Sequence, residues 1–255
     1  MLLCVDVGNT NITLGVYQNE NLIYHWRLST DHERMPDEYG LQLMGLFQRG
    51  NVESGNLEGV VLSSVVPPLT GKWIDISRNY LSIDPLVITN STNTGIRILY
   101  EDPAAVGADR IVNSAAAFYL YGGPACIVDF GTATTFDALT EKAEYLGGAI
   151  VPGIGISADA LFHRTAKLPR VDLHFPPSVI GSNTTHAIQS GLLYGYSCLV
   201  DGMVELFRKE LGTNMRVIAT GGLADIFAPR SRSIQVSAPW LTLDGLRMIY
   251  NRNKE

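Results

Sequence analysis

The chain has 255 residues, and a content of 46% hydrophobic and 17% charged residues is that of a globular protein rather than a disordered or fibrous one. A formal net charge of −6 argues against a nucleic-acid groove, which needs a basic stripe. No apolar run reaches the roughly 18 residues that a membrane span requires, so we expect neither nucleic acid nor membrane as a partner. Three cysteines without metal-ligand spacing favour an intracellular location.

The first part of the chain begins with a predicted antiparallel meander. Three apolar runs separated by turn residues predict its strands, from Leu2 to Val5, from Ile12 to Tyr17 and from Leu22 to Leu28. Proline at the first helical position and acids in the first turn then predict a helix from Pro36 to Gly50. The apolar run from Gly59 to Val66 predicts a buried strand, which Pro67-Pro68 stops before a helix that begins near Thr70.

A second meander repeats the architecture of the first. Its strands are predicted from Ala125 to Asp129, from Thr134 to Leu139 and from Tyr145 to Ile150. Further on, a strand leads into the glycine turn at Gly221-Gly222, and a helix from Leu241 to Tyr250 completes the chain. The repeat predicts two α/β halves, one from residue 1 to about 115 and one from about 116 to 255.

The second half also contains a long predicted helix, which runs from Thr184 or Thr185, either of which could cap it, to Leu211. Tyr194, Tyr196 and Leu199 give this helix more apolar surface than one face needs. This additional apolar surface could be buried against the other half of the chain or against a second subunit.

A short motif at the first turn of each meander anchors the repeat. The first copy is Asp6-Val7-Gly8-Asn9-Thr10-Asn11-Ile12-Thr13, and the second is Asp129-Phe130-Gly131-Thr132-Ala133-Thr134-Thr135. In each copy a strand brings a carboxylate to a tight turn, whose glycine allows close approach of a ligand. Converging backbone N–H groups bind anions, and a carboxylate can hold the accompanying cation. The motif thus predicts a site for a metal-bound polyphosphate, although one copy alone would indicate an ordinary hairpin.

Asp109 and Arg110 lie where a loop runs into an Ala-rich helix. A helix N-terminus favours an ionised carboxylate by roughly 0.3 to 1 kcal/mol, so Asp109 could orient a hydroxyl and accept its proton. Arg110 could neutralise a substrate carboxylate. The alternative is that Asp109 merely caps the helix and that Arg110 is its solvated neighbour.

Five motifs in this order resemble those of the type III pantothenate kinase family, within the acetate kinase, sugar kinase, Hsc70 and actin superfamily. Besides the two hairpin motifs they are Ser63-Ser64-Val65-Val66-Pro67-Pro68, Gly107-Ala108-Asp109-Arg110 and Thr220-Gly221-Gly222-Leu223. The resemblance covers essentially the whole chain. It implies an α/β fold of two duplicated ribonuclease H-like (actin-like ATPase) domains, with mixed sheets flanked by helices. It also implies ATP-dependent phosphorylation of pantothenate to 4′-phosphopantothenate, the first step towards coenzyme A, by a cytoplasmic homodimer.

The resemblance further implies roles for individual residues. ATP phosphates would be bound by Thr132 and by the first turn, which comprises Asp6, Val7, Gly8, Asn9, Thr10, Asn11, Ile12 and Thr13. The adenine would lie near Gly221 and Gly222. Pantothenate would be bound by Tyr100, Gly107, Ala108, Asp109, Arg110 and Thr184, with Asp109 as the general base. Asp129 would bind a monovalent cation, potassium or ammonium, and Asp6 would hold the magnesium of ATP through water.

Two other functions fit the same fold. A nucleotide-binding accessory factor for transcription is one, but the intact Asp6, Asp109 and Asp129 and the acidic net charge argue against it. The other is an ATP or polyphosphate hydrolase, in which water replaces the pantothenate hydroxyl, and fold alone does not exclude it. Pantothenate-dependent ADP formation separates the three.

Overall fold

The computed structural model describes residues 1–254. Its first elements are β1 (Leu2–Val7), β2 (Asn11–Gln18), β3 (Asn21–Ser29), α1 (Pro36–Arg49), β4 (Gly59–Ser64), α2 (Pro67–Leu81), β5 (Leu86–Val87), β6 (Arg97–Ile98) and α3 (Ala108–Tyr121). They are followed by β7 (Ala125–Phe130), β8 (Ala133–Leu139), β9 (Glu144–Pro152), α4 (Ile154–Arg164), α5 (Thr184–Leu211), β10 (Arg216–Thr220), α6 (Ala224–Phe227), β11 (Val236–Ser237) and α7 (Leu241–Asn253). In this part of the chain no helix combines the length and hydropathy needed to cross a membrane.

These elements form two compact units with the same strand topology. Unit 1 comprises Met1–Ala116 and helix α7, and unit 2 comprises Ala117–Trp240. The strand order is β3-β2-β1-β4-β5 in unit 1, and the equivalent order β9-β8-β7-β10-β11 is found in unit 2. In each unit the meander strands pair antiparallel, and the two later strands join in parallel. The predicted duplication of an α/β architecture with mixed sheets is confirmed.

The core of unit 1 lies between its sheet and the helices α1 and α2. Alternate residues of β1, β2 and β4 point to that side, among them Val5, Leu14 and Leu62, which are almost fully buried. They pack in one cluster with Phe47 of α1 and Trp73 of α2. The other face of the sheet therefore receives Asp6, Thr13 and Ser63, which alternate with these core residues.

Helix α7 belongs to unit 1, although the predicted boundaries place it in the second half. The Tyr17 hydroxyl of β2 donates to Asp244 Oδ1 of α7 at 2.7 Å. A Cβ on Gly15 would lie 2.7 Å from Leu243 Cδ1, so the helix packs directly on the strand. An amphipathic pattern specifies that a helix has an apolar face but not which sheet covers it, so the prediction placed α7 in the second half by chain order alone.

The core of unit 2 lies between its sheet and the helices α5 and α6. Val128, Phe136 and Val217 form one buried cluster with residues of both helices. Tyr196 of α5 belongs to this core, because its hydroxyl donates to the Pro152 carbonyl at 2.9 Å and lies 2.7 Å from the hydroxyl of Thr134.

Two predicted helix starts are wrong. Helix α2 begins at Pro67 rather than near Thr70, since first-turn N–H groups lack an intrahelical acceptor and prolines fit there. Helix α5 is capped by Asn183, whose Oδ1 accepts from the His186 N–H at 2.9 Å. Thr184 therefore does not cap the helix and is exposed at its first position.

Candidate active site

The first hairpin turn is braced from a neighbouring strand. Gly8 N–H donates to the Asn11 carbonyl at 3.0 Å, which closes the turn between β1 and β2. Thr30 follows β3 and holds the turn twice, through its hydroxyl to the Gly8 carbonyl at 2.6 Å and its N–H to the Thr10 carbonyl at 2.9 Å. The turn is thereby fixed while the side chains of Asn9 and Thr10 stay exposed.

The residues predicted to bind ATP in this hairpin do not all present their side chains to one place. Val7 and Ile12 are fully buried in the core, so only their main chains could face a ligand. Asp6 and Thr13 pair in register on the opposite face of the sheet and are partly buried. The polar side of the hairpin is therefore the side away from α1 and α2.

The second hairpin turn is braced by the segment between β9 and α4. Gly131 N–H donates to the Ala133 carbonyl at 3.1 Å, and Gly153 N–H donates to the Thr132 carbonyl at 3.1 Å. A Cβ on Gly153 would overlap the Thr132 carbonyl oxygen and lie 2.6 Å from that of Gly131. Only glycine permits this contact, and the exposed Thr132 side chain is held at the tip of the turn.

Each hairpin aspartate has a hydroxyl residue beside it on both neighbouring strands. Asp6 pairs with Thr13 on β2 and with Ser63 on β4. The same arrangement recurs in unit 2, where the strand partners of Asp129 are Thr135 on β8 and Thr220 on β10. The duplication thus extends to a third strand. Sequence reasoning assigned no role to Ser63 or Thr220, although both lie in motifs that end a strand at a turn.

The glycine turn that follows β10 rests on Asp129. Gly221 has a φ of +89°, which disfavours any other residue, and a Cβ there would overlap Asp129 Oδ1 and lie 2.7 Å from the Phe130 N. Gly222 is exposed, with no atom within 4 Å of where a Cβ would stand. The turn is therefore packed on one side and open on the other.

A cavity of about 540 Å³ opens in unit 1 at the end of β4. Ser64, Thr89 and Asn90 supply polar groups to its wall, and Val65, Ile88, Val106 and the predicted substrate residues Gly107 and Ala108 supply apolar surface or main chain. A mixture of apolar wall and few polar groups is typical of a small-molecule site, and the volume falls within the roughly 300 to 1,000 Å³ usual for such sites.

Asp109 directly follows Gly107 and Ala108, two residues that line this cavity. It is inside the first turn of α3, where its Oδ1 accepts from the Arg110 N–H at 2.8 Å. A Cβ on Gly107 would lie 2.5 Å from Oδ1, so the carboxylate is pressed against that glycine. Burial raises the pKa of the Asp109 carboxyl, although the Arg110 N–H and guanidinium act in the opposite direction. Arg110 is only 9% exposed and is not a solvated neighbour.

The structure groups the predicted site residues by unit. Unit 1 holds the first hairpin, the run from Gly107 to Arg110 and Tyr100, which is 39% exposed in the loop before α3. Unit 2 holds Asp129, Thr132, the Gly221-Gly222 turn and Thr184.

The donor set around the aspartates suits a magnesium ion that travels with a nucleotide. Among residues 1–254 no three His, Cys, Asp or Glu side chains converge on a possible metal position. Mg²⁺ commonly binds one or two carboxylates together with substrate phosphates and water, and Asp6 at the end of β1 is placed to supply such a carboxylate.

The fold itself has known counterparts. A protein described as a candidate Baf family transcriptional activator from Campylobacter jejuni has a TM-score of 0.61, with 20% identity over 98% of both chains. The inorganic polyphosphate/ATP-glucomannokinase from Arthrobacter sp. strain KM has a TM-score of 0.51, with 15% identity over 99% of both chains. The predicted fold, that of the actin-like ATPases and sugar kinases, is confirmed.

The particular family is defined by sequence. A family model described as type III pantothenate kinase matches residues 2–206. The type III pantothenate kinase of Roseiflexus sp. (strain RS-1) is 52% identical over 254 residues, which cover 100% of both chains. The chain belongs to the type III pantothenate kinase family, as its motifs predict. It is a kinase that phosphorylates pantothenate in coenzyme A biosynthesis, and ATP is its phosphoryl donor.

Proposed function

We propose that this chain transfers the γ-phosphoryl group of ATP to the primary hydroxyl of pantothenate, with Asp109 as the general base. The observation that carries this assignment is the Asp109 carboxylate, which is pressed against Gly107, a residue that lines a cavity of about 540 Å³. The hydroxyl oxygen bonds to the γ-phosphorus, the bond from that phosphorus to the bridging oxygen breaks, and ADP leaves.

Asp109 accepts the hydroxyl proton late in this reaction. The transition state of phosphoryl transfer is loose, so positioning and charge stabilisation dominate catalysis. A carboxylate is too weak a base to ionise an alcohol beforehand, so Asp109 orients the hydroxyl until the new bond forms. Arg110, beside it and nearly buried, pairs with the carboxylate of pantothenate, while Tyr100 and Thr184 contribute further substrate contacts.

The two hairpins bind the phosphates of ATP. The turn from Asp6 to Thr13 and the exposed Thr132 supply main-chain N–H groups and hydroxyls, and the open side of Gly221-Gly222 receives the adenine. Asp6 holds magnesium through water, and Asp129 binds a monovalent cation, potassium or ammonium. Bound cations of this kind neutralise charge on the phosphates.

A direct test is ADP release by the purified protein with ATP and magnesium, in the presence and absence of pantothenate. We expect release only with pantothenate. Equal release without it would instead indicate a hydrolase, and no release at all would favour a nucleotide-binding protein without kinase activity.

The pH profile of kcat/KM for pantothenate tests the base. The Asp109 pKa is raised by burial, so activity should fall, as the pH is lowered, at a higher pH than an exposed aspartate would give. Measuring kcat/KM from neutral to acidic pH locates this loss of activity on the acidic side of the profile. In Asp109→Asn the remaining activity should no longer show this acidic loss. If the acidic loss persisted unchanged, it would reflect the titration of another group, such as the carboxylate of pantothenate.

We also propose a cytoplasmic location, and the state of the cysteines supports it. Cys4, Cys126 and Cys198 are free thiols, and Cys198 is exposed on α5. Exposed free thiols persist in reducing compartments, which supports a cytoplasmic location.

We also propose a homodimer that forms through α5. Tyr196 is used in the core and Tyr194 donates to the Pro176 carbonyl, so the exposed surface depends on other residues of the helix. Leu199 and Leu206 are 37% and 51% exposed and lie two turns apart on one side. The neighbouring glycines on that side, Gly191, Gly195 and Gly202, have no atom within 4 Å of an added Cβ. A strip of small residues with two leucines allows close approach of a second helix.

A charge on this strip should separate the subunits. We expect Gly195→Lys to convert the dimer to a monomer of 27.8 kDa, because it places an ammonium in the interface. The matched control is Gly45→Lys on α1, another exposed helical glycine with open space around it. Both changes improve helix propensity, so only the interface distinguishes them. Sedimentation velocity at micromolar concentration measures the mass. If both variants remain dimers, the interface does not include this strip of α5.

A further inference from the structure

Two buried hydroxyl groups without hydrogen-bond partners occupy equivalent places in the two units. Thr220 is 1% exposed in unit 2 and Ser63 is 0% exposed in unit 1. Thr220 Oγ1 and Ser63 Oγ both lack a partner within the protein. An unpaired buried hydroxyl destabilises the folded state and is uncommon. Its recurrence beside each hairpin aspartate indicates that the fold keeps these oxygens for something bound.

The Thr220 hydroxyl shares a sheet face and a strand end with the Asp129 carboxylate. On β10 the neighbouring residues Val217 and Ala219 belong to the core under α5 and α6, so Thr220 faces the other way. On β7 the core residues are Val128 and Phe130, and Asp129 likewise faces away from them. Thr220 and Asp129 are paired in register on adjacent strands.

The chain around Thr220 is held close to the carboxylate. The next residue, Gly221, lies so near Asp129 Oδ1 that a Cβ would overlap it. The positive φ of Gly221 turns the chain away immediately afterwards, which leaves Thr220 as the last strand residue beside Asp129. The carboxylate and the hydroxyl are therefore two neighbouring oxygen ligands near the ends of adjacent strands.

We propose that Thr220 Oγ1 is a ligand of the monovalent cation together with Asp129. The inference rests on the proposed assignment of that cation to Asp129. Large monovalent cations bind best to several oxygen dipoles with little net negative charge, and a hydroxyl provides lone pairs without charge. One carboxylate, the Thr220 hydroxyl and oxygens of the nucleotide or of water make a donor set of this type. Cation binding also gives the unpaired hydroxyl its missing partner.

The test compares Thr220→Val, which removes the oxygen at constant shape, with Thr220→Ser, which keeps it. The readout is the thermal unfolding midpoint during a titration with potassium chloride, with tetramethylammonium chloride holding the ionic strength constant. A cation that binds only the folded state raises the midpoint with its concentration. For Thr220→Val we expect an equal or higher midpoint without potassium, because the unpaired hydroxyl is gone. We also expect about tenfold more potassium to be needed for the same rise.

Controls separate this inference from the assignment of Asp129. If the midpoint of the unmodified protein does not respond to potassium, the cation assignment itself is wrong. If Asp129→Asn abolishes the response while Thr220→Val keeps it, Asp129 remains the ligand and the inference about Thr220 is overturned.

Ser63→Ala removes the equivalent hydroxyl in unit 1 and should leave the potassium response unchanged. An equal loss in that variant would likewise overturn a ligand role specific to Thr220. Thr220→Ala gives a second oxygen-free variant in case the valine change prevents folding.

Discussion

Replacing Asp109 with asparagine is expected to lower turnover by about 10²- to 10⁴-fold, the usual contribution of a general base. Asparagine has nearly the same shape and can still accept the Arg110 N–H bond that Asp109 Oδ1 now accepts at 2.8 Å. It cannot take a proton from the pantothenate hydroxyl. The KM for ATP should change little, because ATP is assigned to the hairpins. Steady-state ADP release with each substrate varied in turn measures both parameters.

The same variant should be more stable than the parent at neutral pH. Burial raises the Asp109 pKa, so the folded state binds this proton more tightly than the unfolded state does. The stability contributed by the group is present at low pH and is lost as the pH rises through the raised pKa. The Asp109→Asn change should therefore raise the thermal midpoint near neutral pH, and the difference should shrink as the pH is lowered.

Asp102→Asn is the matched control. Asp102 is exposed in the same connection, where its Oδ1 accepts from the Ala104 N–H at 3.0 Å, and asparagine keeps that acceptor. Its turnover should match that of the parent. Normal turnover in Asp109→Asn would show that another group accepts the proton, whereas equal losses in both variants would indicate a general effect of lowering negative charge near the cavity.

Adding one methyl group at Gly153 is expected to have the second large effect. In Gly153→Ala the new Cβ overlaps the Thr132 carbonyl oxygen and lies 2.6 Å from that of Gly131. Both obstacles are backbone atoms of the second hairpin, so the turn must move. Overpacking of this kind costs about 1 to 3 kcal/mol of stability. A displacement of about 1 Å in a group that positions substrate can lower the rate about 10²-fold, so we expect a loss of that size in kcat/KM for ATP.

Gly155→Ala tests whether the clash is the cause. Gly155 lies two residues further on, in the first turn of α4, and an added Cβ there meets no atom within 4 Å. Alanine is favoured over glycine in helices by up to about 1 kcal/mol, so this variant should be as stable as the parent or more so. Thermal unfolding and ATP kinetics on the two variants provide the comparison. If Gly153→Ala leaves the ATP kinetics unchanged, the second hairpin is not part of the phosphate site.

Much of the fold was predictable because its signals are local. The apolar runs around Leu14 and Val128 identify strands, and the glycine turns after Asp6 and Asp129 delimit hairpins, without any knowledge of distant contacts. Two such meanders in one chain are enough to predict a duplication. The candidate nucleotide hairpins are for the same reason apparent in the sequence.

Other features depended on partners far away in sequence. From its position on the long helix, Tyr196 was expected to belong to apolar surface beyond the face that packs on the core. In the structure its hydroxyl forms hydrogen bonds with Thr134 and Pro152, which are 62 and 44 residues away in the chain. The pKa of Asp109 depends on its burial beside Gly107, which no local pattern expresses.

By itself the sequence determined the element types, the doubled aspartate turn and the family, because each is encoded in residue order over a few positions. Only the tertiary structure decided that α7 packs on the sheet of unit 1 and that Ser63 and Thr220 stand beside Asp6 and Asp129. Strand register and helix partners come from packing between segments far apart in the chain. Side-chain periodicity specifies which face of an element is apolar, and leaves open what that face meets.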